Sequence, residues 1–263
     1  MDLHPLVAGF TDVADDYELG RPGYPPAVVD AIAERLALPP RAGIADVGAG
    51  TGKLTRALVA ARYEVVAVEP LARLRGRLRE VVPEAEARDG AAEALPLGAA
   101  EVDAVVCANA FHWFDAPRAV AEFARVIRPG GGLALIWHDG VEDDESAAWS
   151  RDLHALVQGL RPEHPAYSDD QGRGAVAAHP AFGPLTSVEL RSAYETDPRR
   201  LLAHVASMSW VGGLAPAERD AALREVALLL ERHAVGTVSV PLRTMLWTAT
   251  RDGKSDPLHL NGI

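Results

Sequence analysis

Short apolar runs alternate with stretches whose apolar residues recur every three or four positions along much of this 263-residue chain. Val28, Ile32 and Leu36 share one helical face. Pro25 and Pro26 suit a first helical turn, where a missing amide donor costs nothing, so a helix is expected to end before Pro39 and Pro40. Gly43–Val47 then reads as a strand, followed by a glycine turn and a helix from Gly52 to about Arg62. Glu64–Glu69 reads as a second strand and Leu71–Val82 as a second helix. Glu84–Asp89 is a polar third strand, and Val102–Ala108 a buried fourth. Pro117–Ile127 reads as a helix stopped by Arg128-Pro129-Gly130-Gly131-Gly132, and Leu133–Trp137 as the next strand. Repeated strand–helix units imply a parallel sheet with right-handed crossovers.

The rhythm breaks at 139–184, where Glu142, Asp143, Asp144 and Glu145 form an acidic patch among turn formers. It resumes as a strand over Leu185–Tyr194, two helices, and a strand over Thr244–Thr250. Leu223, Val226, Ala227 and Leu230 mark the apolar face of the second helix. The chain divides into an N-terminal lid segment (1–41), a core (42–138), an insertion or cap (139–184), a segment completing the core with cap helices (185–251), and a polar tail (252–263).

Composition narrows the classes. Apolar residues make up 48% and charged residues 24%, which excludes disordered and fibrous chains. The net charge of -11 is opposite to that of a protein built to grip nucleic acid. Cys107 is the single cysteine, so neither an internal disulfide nor a multi-cysteine metal site is possible. In an apolar strand it reads as a small buried side chain. His154, His164 and His179 lack metal-ligand spacing, so no metal is expected. Arg73, Arg75, Arg77 and Arg79 spread around their helix and read as solvated surface. The N-terminus does not resemble a signal peptide, and no apolar run approaches the ~20 residues that cross a bilayer. A cytoplasmic monomer or homodimer with no nucleic-acid or membrane partner is the expectation.

The most informative stretch is Asp46-Val47-Gly48-Ala49-Gly50-Thr51-Gly52, which leaves a strand and enters a helix. Glycines there permit a sharp bend and close approach to a ligand, and bare amides at the helix start can hold a polar group. Asp46 can accept from an ammonium group or order the loop. Glu69 closes the next strand, where a carboxylate can accept from both hydroxyls of a ribose. The dinucleotide fingerprint fails, because the sixth position from Gly48 is Lys53. A phosphate-binding Walker loop fails too, because Gly52-Lys53 is followed by Leu54.

The Asp-x-Gly-x-Gly-x-Gly pattern resembles motif I of class I S-adenosylmethionine-dependent methyltransferases. Gly90-Ala91-Ala92-Glu93-Ala94-Leu95-Pro96-Leu97 and Arg125-Val126-Ile127-Arg128-Pro129-Gly130-Gly131 resemble segments of the type 11 group. Phe111-His112-Trp113-Phe114-Asp115 and the leader Tyr17–Pro25 resemble the branch that includes trans-aconitate methyltransferases. The resemblance implies an α/β fold: a doubly wound, seven-stranded, mostly parallel Rossmann-like sheet with its last strand antiparallel and a mainly helical cap. It implies S-adenosyl-L-methionine as cofactor, S-adenosyl-L-homocysteine as product, and a small-molecule methyl acceptor. On the cofactor side it implicates Asp46, Gly48, Ala49, Gly50, Gly52, Glu69, Pro70, Ala91, Ala92, Glu93 and Asn109, with Tyr17 and Arg21 closing from the leader. The family often has an acid where Ala91 stands, and Asp89 is the nearby substitute.

Methyl transfer from a sulfonium needs alignment and exclusion of water more than acid–base help. A carboxylate acceptor needs no base, whereas a hydroxyl or amine acceptor calls for one. His112 is the candidate base, or holds its loop by a hydrogen bond. Phe111 and Trp113 are candidate pocket walls, and Tyr24 a candidate substrate contact or a packing partner of Pro25. A protein that binds the cofactor without turnover, a nicotinamide-dependent oxidoreductase, and a methyltransferase of macromolecules remain open as alternatives.

Overall fold

The computed structural model describes residues 13–140, 147–161 and 172–252. Among them, seven strands form one sheet: β1 (Gly43–Val47), β2 (Glu64–Val68), β3 (Glu86–Arg88), β4 (Val102–Ala108), β5 (Ile127–Gly140), β6 (Thr186–Thr196) and β7 (Val238–Thr250). Their order is β3-β2-β1-β4-β5-β7-β6. The first five run parallel, and β7 lies antiparallel between β5 and β6. The reversal of strand order at β1 and β4 opens a crevice at their carboxyl ends, where ligands collect in doubly wound sheets.

Alternation along the central strands sends side chains to opposite faces. Ile44, Ala104, Val106, Ala134 and Ile136 bury one face against α2 (Pro26–Arg35) and α3 (Lys53–Ala60). Ala45, Val47, Val105, Cys107, Leu133 and Leu135 bury the other against α5 (Ala116–Val126). Cys107 is fully buried, and that burial pushes its thiol far above its ordinary range. The α4 helix (Ala72–Val81) follows β2.

A third apolar cluster stands apart. Val157 of α6 (Ala148–Gly159), Leu201 and Val205 of α8 (Pro198–Ala206), Val211 of α9 (Ser209–Gly212), and Val226, Leu229 and Leu230 of α10 (Pro216–Arg232) make their own small core. The buried face of α10 centres on Ala222, Val226, Leu229 and Leu230, whereas Leu223 and Ala227 lie at its margin. Among the described residues, no helix is long and apolar enough to cross a membrane.

Four sequence expectations change. The leader is not all lid: α1 (Ala14–Gly20) and the stretch through Tyr24 lie on the crevice side, while Val28, Val29, Ile32 and Leu36 place α2 under the sheet. The described part of 139–184 is also divided, because α7 (Arg173–Ala178) buries Val176 in the main core beside α5. The acidic patch 142–145, His164 and the tail from 253 lie outside the described residues.

β5 is one strand from Ile127, not a strand beginning after the glycines. Its register with β4 jumps from Val102↔Ile127 to Ala104↔Gly132, so the Pro-Gly segment loops out as a bulge. Gly131 is required there, since a Cβ would sit 2.2 Å from the Asp103 carbonyl oxygen. β7 begins at Val238, six residues earlier than its sequence suggests. Pro241 obscures that start; it lies beyond Leu242, which pairs with Gly140 of β5.

Candidate functional site

The turn after β1 carries three glycines in the left-handed region: Gly48 (φ +70°), Gly50 (φ +58°) and Gly52 (φ +86°). Glycine adopts such angles without the strain that a Cβ brings. A Cβ on Gly48 would come within 2.6 Å of the Ala110 Cβ. The amides of the turn are not bare, which corrects the sequence reading. Gly48 N and Ala49 N donate to the Val68 carbonyl (2.9 and 3.2 Å), and Gly52 N to Ala49 O (2.9 Å). Gly50 N donates to Glu69 Oε2 (2.9 Å). A tight buried turn must satisfy its own donors, so it offers a ligand clearance and little hydrogen bonding.

Glu69 lies just beyond β2 with 4% of its surface exposed. Its Oε1 accepts from Leu71 N (2.9 Å) while Oε2 holds Gly50. Each carboxylate oxygen retains a lone pair for a ligand hydroxyl. Burial pushes the carboxyl up to about 7, only partly offset by the Leu71 and Gly50 amides.

Gly48, Gly50, Glu69, Pro70, Ala91, Ala92 and Glu93 line one cavity of about 670 Å³. Glu93 also accepts from Asp115 N (2.8 Å). Beside it lies a chamber of about 530 Å³, lined by Arg21, Tyr24 and His112, by the end of β5, and by α6, α8 and α9. Tyr17, Asn109 and Trp113 line both cavities. Asn109 follows β4 at φ +50°, a conformation asparagine tolerates. Its side chain is engaged at both ends by the His138 backbone, donating to His138 O (3.1 Å) and accepting from His138 N (2.9 Å).

Other sequence-implicated residues lie elsewhere. Asp46 lines neither cavity; it is buried and accepts from Thr55 Oγ1 (2.6 Å), and burial pushes its carboxyl up to about 6. That bond ties the end of β1 to α3 across the turn. Ala49 also lines neither cavity, and Gly52 faces Leu78 and Val82 of the α4 region, where a Cβ would come within 3.0 and 3.1 Å. Asp89 is exposed and paired with Arg75 (3.1 Å), so it does not replace the missing acid at Ala91. Phe111 is a core residue with 1% exposure, not a pocket wall.

Sequence reasoning missed several residues. Arg75 is not solvated surface: its Nη1 donates to the carbonyls of Glu69 (2.6 Å) and Pro70 (3.0 Å), bracing the loop behind the carboxylate. Glu18 clasps α1 to α3, accepting from Thr51 Oγ1 (2.8 Å) and Arg56 Nη2 (2.7 Å), while its carbonyl accepts from Lys53 Nζ (2.6 Å). Burial works against its charge, yet the hydrogen bonds from Arg56 and Thr51 hold its carboxyl below the ordinary value. His138 and Asp139 line the chamber from the end of β5. They escaped notice because the strand was cut short at Trp137. Burial drives His138 down to about 4, so it is neutral at physiological pH; its Nδ1 lies 2.6 Å from Thr244 Oγ1. Among the described residues, no group of three or more His, Cys, Asp or Glu could hold a metal.

Comparison with known proteins bears on what this arrangement does. Residues 45–135 match the methyltransferase-domain family. An uncharacterized methyltransferase of Mycobacterium tuberculosis is 36% identical over 225 residues, 85% of this chain and 86% of that one. The chain belongs to the methyltransferase family. A candidate type II methyltransferase from Anaeromyxobacter dehalogenans superposes on this methyltransferase with TM-score 0.62 at 30% identity, over 88% of this chain and 96% of its own. An Anabaena variabilis protein of 23% identity and TM-score 0.58, covering 87% and 98% of the two chains, shares its fold. The matched span begins at Ala45 in β1 and ends at Leu135 in β5. It therefore contains the glycine turn, Glu69, the Ala91–Glu93 loop and Asn109, while much of the chamber wall lies outside it.

Proposed function

We propose that the protein transfers a methyl group from S-adenosylmethionine to a small-molecule acceptor, of the branch that the leader and the Phe111–Asp115 motif resemble. One observation carries this reading: the cavity built on the glycine turn and Glu69 meets a second cavity at Tyr17, Asn109 and Trp113. Two reactants bound on either side would touch only there.

The residues present fit the cofactor. Gly48 and Gly50 leave the wall without side chains, and a Cβ on Gly50 would point at the Tyr17 ring 3.9 Å away. Glu69 would hold the ribose hydroxyls, and Ala91 and Ala92 would form the wall at the adenine. When bound, the cofactor supplies a methyl group on an already activated sulfonium. Tyr17 and Trp113 exclude water at the junction, and Asn109, fixed by the His138 backbone, keeps β4 and β5 in register beside it. His112 lines the chamber next to Trp113 and is the group to take a proton from a hydroxyl or amine acceptor. A chamber of about 530 Å³ suits a small molecule.

Calorimetry with S-adenosylhomocysteine and transfer of labelled methyl to a panel of small acids, phenols and amines test the reading. No heat at millimolar ligand ends it. The pH dependence should take two opposite signs. A folded-state carboxyl raised from 4.5 to about 7 favours the folded state at low pH, and that advantage disappears as pH rises across this interval. Urea midpoints should therefore fall between pH 5 and pH 8. Hydrogen bonding to ribose requires the ionised Glu69, so affinity for S-adenosylhomocysteine should rise about tenfold from pH 6 to pH 8. A flat binding profile would remove Glu69 from that role.

A further inference from the structure

β6 stands at the end of the sheet, and among the described residues it pairs with β7 alone. Their register runs unbroken from Thr186 to Thr196, with no bulge and no proline inside the strand. Alternate amides and carbonyls along its outer side therefore have no described strand to pair with. An edge of this length is a template for another strand unless it is twisted away, interrupted or covered. The opposite edge is blunted by its shortness, because β3 spans only Glu86–Arg88. The two faces of β6 differ in kind. Val188 and Leu190 pack partly against the core under the sheet, whereas Ser187, Glu189, Arg191, Ala193 and Glu195 are exposed on the other face.

The charges on that face are arranged to meet their own copy. Directly opposed residues of an antiparallel pair point to the same face, so a two-fold axis perpendicular to the sheet must pass through a residue. With the axis at Leu190, Glu189 stands opposite the partner's Arg191, and Arg191 opposite the partner's Glu189. On the other face Leu190 meets the partner's Leu190, flanked by Val188 opposite the partner's Ser192. The pairing then uses β6 from Thr186 to Tyr194, nearly its whole length. Moving the axis by one residue sets Glu189 against the partner's Glu189, or Arg191 against the partner's Arg191, and opposed like charges destabilise a strand pair. In the single chain Arg191 Nε donates to Glu189 Oε1 at 2.8 Å, while the Arg191 side chain keeps 76% of its surface exposed. Across the axis the two pairs would close into a ring of four alternating charges.

We propose that β6 pairs with β6 of a second copy of this chain about a two-fold axis at Leu190, making one sheet continuous through both copies. The contact is isologous and closes on itself, and it leaves the short β3 at both ends of the joined sheet. It does not depend on what the crevice binds. It braces the ribbon that carries Tyr194 and Val240 into the chamber wall.

Sedimentation equilibrium on the full chain tests it, over about 1 to about 100 μM protein. The wild type should be a dimer at the upper end of that range. Glu189→Arg and Arg191→Glu should each weaken the dimer at least tenfold, because symmetry turns two attractive pairs into two repulsive ones. The double swap Glu189→Arg/Arg191→Glu restores opposite charges across the axis and should return the dimer to within about threefold of wild type. Both positions are exposed, so all three variants should keep the wild-type circular dichroism spectrum. Hydrogen exchange of the β6 amides should slow over the same concentration range, while that of the β3 amides stays constant. A wild type still monomeric at about 100 μM, single variants that associate as the wild type does, a double swap that stays dissociated, or β6 exchange independent of concentration overturns the proposal.

Discussion

Replacing Glu69 with alanine should weaken binding of S-adenosylhomocysteine by about 1–3 kcal/mol, the usual scale for hydrogen bonds to a charged group. The side chain stands where two demands meet. It supports the site from behind, because the Gly50 and Leu71 amides donate to it, and it faces the cavity with its remaining lone pairs. The variant therefore loses a ligand contact and leaves the Gly50 and Leu71 amides without their acceptor. Calorimetry reads the first loss and a thermal melt the second. Glu69→Gln separates them, since an amide oxygen can still accept one of the two amides while the charge is gone. An alanine variant with unchanged affinity would exclude Glu69 from the cofactor site.

Gly20→Ala should be the most damaging single-methyl change in the lid. A Cβ at Gly20 would lie 2.1 Å from His204 N and 2.5 Å from the Ala203 carbonyl carbon, both backbone atoms of α8. No side-chain rotation relieves such a clash, so α1 and α8 must separate, at a cost of about 1–3 kcal/mol or more. Tyr17 and Arg21 move with α1. Methyl transfer should fall by at least tenfold, and the melting temperature should drop by several degrees. Wild-type activity at normal stability would show that the close seating of α1 on α8 is dispensable.

Much of the parallel half was legible in the sequence because its signals are local. β1 and β4 run as Gly43–Val47 and Val102–Ala108, as their apolar runs indicate, and the glycine turn stands between strand and helix. Glu69 was legible as the acid that closes the next strand. The roles of individual turn residues were not. Whether Gly48 N offers itself to a ligand depends on the Val68 carbonyl, which is distant in sequence and adjacent only once the strands pair. Asp46 and Glu69 both end strands as acids, yet Thr55 claims one and the cavity the other. The chamber was least legible. His138 and Asp139 follow a strand whose length is set by pairing with β7, and Arg21, Arg161 and Arg243 come from three separate elements.

The long antiparallel ribbon of β6 and β7, whose strands are joined through α8, α9 and α10, serves only one of the two cavities. It runs past the last described pair with β5, at Leu242, and Leu242 together with Tyr194 and Val240 on the extension walls the chamber without touching the glycine-turn cavity. Lengthening, trimming or resurfacing this one ribbon would reshape the chamber while the lining of the glycine-turn cavity stayed as it is.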